Sequence, residues 1–61
     1  MLELKNKELY YNGQKIELKG IKSIHIVSSE EVLVTMENNG SVIMSRYYVE
    51  NNELKSLSMS N

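Results

Sequence analysis

Apolar and polar residues alternate along most of this chain with a period of two, not 3.6, which predicts strands and no long helix. Leu2 and Leu4 alternate with Glu3 and Lys5 as a short first strand. In KELYYNGQKIELK, Asn12-Gly13 supplies the two positive φ angles of a type I′ turn, so a hairpin is predicted. A two-residue loop there sets Leu9 against Ile16, Tyr11 against Gln14 and Lys7 against Leu18. Leu9, Tyr11, Ile16 and Leu18 then point inward, while Tyr10 lies on the outer face opposite Lys15.

Ile16, Leu18, Gly20, Lys22, Ile24 and Ile26 share one parity. That continuity predicts one long strand from Gln14 to Val27, bent at Gly20, since glycine inside a strand marks a bulge or a corner. Ser28, Ser29 and Glu30 form the next turn.

The second hairpin is EVLVTMENNGSVIMSRYYV. A three-residue loop of Asn38, Asn39 and a left-handed Gly40 pairs Met36 with Val42 and Val34 with Met44, placing Val32, Val34, Met36, Val42 and Met44 on one core face. A two-residue loop would oppose Val34 to Ser45 and Leu33 to Arg46. The three-residue loop is the expectation, because it keeps the apolar residues together. The odd-numbered face carries Leu33, Ile43, Tyr47 and Val49 among Glu31, Thr35, Glu37 and Ser45, a second apolar surface that needs cover and is a candidate protein interface.

After Val49, Asn51-Asn52 either turns the chain into a last strand with Leu54 against Val49, or caps a helical turn holding Leu54 and Leu57. A strand or irregular cover is expected, with fraying from residue 58 onward. The fold class is therefore all-β: an antiparallel meander of five or six strands curled into a barrel-like or half-sandwich domain spanning residues 1–61.

A domain this short buries only about 60% of its unfolded surface. No cysteine and one histidine leave neither a disulfide framework nor a structural zinc site. A core of about 3–5 kcal/mol then favours self-association, with a dimer the expected assembly. No apolar segment is long enough for a membrane span, and no apolar stretch follows the charged MLELKNK start, so a cytoplasmic protein is expected. The net charge of −1 divides unevenly: residues 1–28 hold five lysines against three glutamates, and residues 29–61 hold Arg46 and Lys55 against five glutamates. Six lysines to one arginine, with abundant asparagine, is a bias common in AT-rich genomes, phages among them.

No phosphate-binding loop, nucleophile elbow or metal-spaced cluster is present, so no catalytic residue, metal or cofactor is assigned and an enzyme is not expected. Glu30 and Glu31 would face opposite ways on a strand and form no carboxylate pair. His25 reads as a half-buried residue with a local hydrogen bond. The densest recognition chemistry lies in SRYYVENN: Arg46 at the solvent edge of the core face, with its stem on apolar neighbours, beside Tyr47 and Tyr48. Arginine and tyrosine dominate interface hot spots, so Arg46, Tyr47, Tyr48 and Tyr10, with Leu33, Ile43 and Val49, are the protein-binding candidates.

MLELKNK, the GQKIEL step and VLVTMENNGSVIMSR leading to an arginine resemble the carbon storage regulator family of dimeric, five-stranded RNA-binding proteins. That family's basic start motif has arginine where Asn6 stands, and its signature around the later arginine is here Ser45 and Tyr47. The resemblance implies a strand-exchanged dimer and RNA binding, for which Lys5, Lys7 and Arg46 are the candidates. A net negative charge opposes it, because phosphate contacts dominate such binding. The expected function is a non-enzymatic protein-binding module, such as a small phage or prophage regulator acting on a host protein. RNA or single-stranded nucleic-acid binding by a dimer, and a structural role in a homo-oligomer, are the alternatives.

Overall fold

The computed structural model describes residues 1–59 and is all-β, with seven strands in two antiparallel sheets and no helix among them. Strands β1 (Leu2–Lys5), β2 (Glu8–Tyr11) and β3 (Gln14–Lys15) form one sheet in that order. Strands β4 (Ile21–Ser28), β5 (Glu31–Asn38), β6 (Ser41–Glu50) and β7 (Glu53–Ser58) form the other. The sheets do not close into a barrel, and the strands exceed the expected five or six.

Turn chemistry explains the extra strands. Four two-residue loops have positive φ at both positions: Asn6-Lys7 (49° and 64°), Asn12-Gly13 (50° and 83°), Asn39-Gly40 (52° and 83°) and Asn51-Asn52 (54° and 63°). Each therefore has the type I′ signature whose twist matches that of paired strands. Each begins with asparagine, the residue besides glycine that best tolerates the left-handed region. Five of the seven asparagines sit in these loops, so their abundance has a local conformational reason. Lys7 pays for its position in the Asn6-Lys7 loop with no compensating side-chain chemistry. Lys7→Gly should stabilise the protein by about 0.5–1 kcal/mol, read as a higher urea midpoint at unchanged slope.

The first predicted register holds: Tyr11 opposes Gln14, Tyr10 opposes Lys15, and the Ile16 N–H donates to the Leu9 carbonyl at 2.8 Å. It ends sooner than expected. The long bent strand through Gly20 does not form, for β3 stops at Lys15 and β4 begins at Ile21 in the other sheet. Gly20, at φ 69°, is the corner between sheets, and its carbonyl accepts the Glu37 N–H at 2.8 Å.

The second hairpin takes the register that was not expected. Asn39-Gly40 is the whole loop, Asn38 pairs with Ser41, and Val34 opposes Ser45 while Leu33 opposes Arg46. Opposed residues share a face, so the inner face is built from even positions of β5 and odd positions of β6. Val32 and Val34 are buried as expected, but Val42 and Met44 are exposed at 55% and 41%. Ser45 takes the buried place opposite Val34.

The core lies between the sheets. Leu2 and Leu9 from one sheet meet Val32 and Val34 from the other, and Tyr11, Ile16, Leu18, Ile21, Ile24, Met36, Tyr47, Val49 and Leu54 pack around them. Leu54 stands opposite Val49 on β7, as the strand alternative required. Ser58 pairs with Ser45, and the Met59 N–H donates to the Met44 carbonyl, so these two are held where fraying was expected; the rest of that segment lies outside the described residues.

Candidate functional site

The second sheet, β4 to β7, turns one face to the core and the other outward. Pairing places Leu33, Arg46 and Leu57 in one outward row, with His25 beside Leu33. A second row holds Glu31, Tyr48 and Lys55, and a third holds Thr35 and Met44. Val42 continues the stripe opposite Glu37. Met44 lies one diagonal step from Leu33 and Leu57, and these diagonal distances are within reach of long side chains. Val42, Met44 and Leu57, exposed at 55%, 41% and 53%, thus form a continuous apolar stripe with half-buried Leu33.

Arg46 borders this stripe. It does not cap the core face as expected, because the two-residue loop sends it outward. Its Nε donates to the Glu31 carboxylate in an ion pair, and its guanidinium carbon sits 4.3 Å from the Tyr48 ring centre. Stacking and pairing together orient the guanidinium, as a planar fork permits and an ammonium does not. The Glu31 hydrogen bond, with smaller help from the carboxylate's charge, raises the Arg46 pKa further above its ordinary value. Its charge is thus fixed at any physiological pH.

Lys55 pairs with Glu50 at 3.0 Å and Lys15 with Glu8 at 3.3 Å; each lysine is raised mainly by its hydrogen bond to that glutamate. A raised cation stabilises the fold fully below its unfolded pKa and loses that contribution only as pH climbs through the folded one. These pairs therefore give no switch near neutrality.

The sequence candidates do not form one patch. Leu33, Arg46 and Tyr48 share the outer face of the second sheet. Ile43, Tyr47 and Val49 point inward and are partly buried, Tyr47 and Val49 against the core cluster. Tyr10 lies on the outer face of the first sheet, where its hydroxyl donates to Glu8 at 3.3 Å and Lys5 approaches its ring at 5.8 Å. Of the nucleic-acid candidates, Lys5 and Lys7 belong to the first sheet and its turn, and Arg46 belongs to the second. Val42 and Met44 were expected in the core, and Leu57 was not a site candidate; the signal that finds them is turn chemistry, since another Asn-Gly pair implies another two-residue loop.

His25 is exposed on β4, not half-buried. Among the described residues, no three metal-ligating side chains gather and no helix is long and apolar enough to cross a membrane. No family model matches the chain, and neither a curated protein nor a solved structure matches it.

Proposed function

We propose that this chain is a non-enzymatic protein-binding module whose contact surface is the outer face of the second sheet. The observation that carries this reading is the exposed stripe of Val42, Met44 and Leu57 beside the stacked Arg46–Tyr48 pair. Arginine, tyrosine and methionine are the residues enriched at interface centres, and methionine adapts its shape to a partner. Orientation of Arg46 before binding lowers the entropy lost when the contact forms.

The rim favours a protein over a nucleic acid. Glu31, Glu37, Glu50 and Glu53 stand on this face, and Arg46 and Lys55 there are already paired with carboxylates. A phosphate backbone would meet net negative charge there.

Affinity capture from lysate compares the parent with Met44→Asp and, as a control on the other sheet, Tyr10→Ala. A partner held by the parent and Tyr10→Ala, and reduced about tenfold or more by Met44→Asp, supports the assignment. Equal capture by all three moves the contact surface elsewhere.

A further inference from the structure

We propose that β4 pairs antiparallel with β4 of a second copy, about a two-fold axis at His25, to make a continuous eight-stranded sheet. Among the described residues four strands stand at sheet edges, and β1, β3 and β7 are guarded by charge or shortness. β1 carries Glu3 and Lys5 within four residues, β3 is two residues long, and β7 carries Glu53 and Lys55. Charge and shortness are the ordinary defences of an open edge. β4 has eight residues and one charge, Lys22; its register shifts at Lys22 and Val27 but runs regularly from Ser23 to Ile26, and Ile26 and Val27 are each 49% exposed.

The strand's own charge order selects a second copy as the occupant. Lys19 and Lys22 flank its start, and Glu30 and Glu31 follow its end. Antiparallel pairing about a two-fold axis lays the basic start of each strand along the acidic end of the other. The register follows from parity. Ile24 and Ile26 pair with Val34 and Val32 on the inner face, whereas His25 pairs with Leu33 on the outer face. Opposed residues must share a face.

Centring on His25 sets each Ile24 against the second copy's Ile26, within the regular span Ser23–Ile26, and lays the basic start of each strand toward the acidic end of the other. Centring on Ile24 would set Lys22 against Ile26, and centring on Ile26 would set Ile24 against Ser28. Beside this edge, β1 is tied to the turn after β4 by the Leu2 N–H to Ser29 carbonyl bond of 2.8 Å. Toward their other ends the two strands part around a cleft of about 230 Å³, lined by Leu4, Lys7 and residues 21–24. The incoming Ile26 faces the mouth of that cleft, where Leu4 is 41% exposed.

One strand edge buries less than a standard interface, so the dimer should dissociate at about 1–100 μM. Light scattering on the intact chain should give twice its 7.0 kDa mass at high concentration and fall toward 7.0 kDa on dilution. Ile26→Lys should be monomeric with unchanged circular dichroism, while Leu57→Lys, on the outer face, should still dimerise. Lys22→Glu, which removes the basic start that the acidic end of the other copy attracts, should weaken the dimer about threefold or more, and more strongly at low salt. A monomer at about 1 mM overturns the pairing. So does a dimer that survives Ile26→Lys, one lost with Leu57→Lys, one unweakened by Lys22→Glu, or open-ended growth.

Discussion

Replacing Gly20 by alanine should abolish cooperative folding at 25 °C. An added Cβ would sit 2.2 Å from the backbone oxygen of Glu37, which cannot swing aside because the Glu37 N–H is itself bonded to the Gly20 carbonyl. The φ of 69° adds about 1–2 kcal/mol for any L-residue with a side chain. Losing the Gly20–Glu37 bond costs about 1 kcal/mol more, against a total stability of about 3–5 kcal/mol. The control is Gly13→Ala, where nothing lies within 4 Å and the cost is conformational, about 1 kcal/mol. Thermal melts by circular dichroism separate the two; a Gly20→Ala protein melting within about 5 °C of the parent would refute the corner.

Leu9→Ala should be nearly as damaging. Leu9 is 1% exposed and reaches across to Val32 and Val34, so truncation leaves a cavity costing about 2–5 kcal/mol. In a core with four buried apolar side chains among the described residues, no neighbouring layer takes up the loss. Met44→Ala should change stability by no more than about 0.5 kcal/mol, because Met44 faces outward. Urea unfolding of both variants also tests the hairpin register. Under the three-residue loop Met44 would be a core residue opposite Val34, and its truncation would cost as much as Leu9→Ala.

Turn residues carried more of the fold than parity did. Asn12-Gly13 announced the first register, and Asn51-Asn52 set Leu54 against Val49, both as read from the chain. Parity failed on β6 because Val42 and Met44 alternate with Ile43, Tyr47 and Val49, so either register offers an apolar face. The second Asn-Gly pair points to the two-residue loop, but gathering Val32, Val34, Met36, Val42 and Met44 on one face argued for the longer one. Asn6-Lys7 was hidden for the opposite reason, since lysine at its second position gives no sign of a positive φ. Shared parity from Ile16 to Ile26 likewise concealed the corner: past Gly20 it is Ile21 that turns inward, and a register shift at Lys22 returns Ile24 to the core face.

The same register decided how much of the site could be read. Arg46 and Tyr48 were noticed by type, yet their alliance with Glu31 depends on Glu31 lying opposite Tyr48, which only the two-residue loop provides. Tyr47, between them in sequence, is turned into the core by the pleat. The exposed stripe comprises residues that composition alone would have assigned to the interior.

Every ladder among the described residues joins strands that follow one another in the chain, across loops of two residues. Closing such short loops carries little entropic barrier, so each hairpin can form within microseconds and extend to the next like a zip. With no proline, refolding after dilution from urea should be a single fast phase without a slow tail. Its rate should be set by the moment the two halves swing together around the glycine corner.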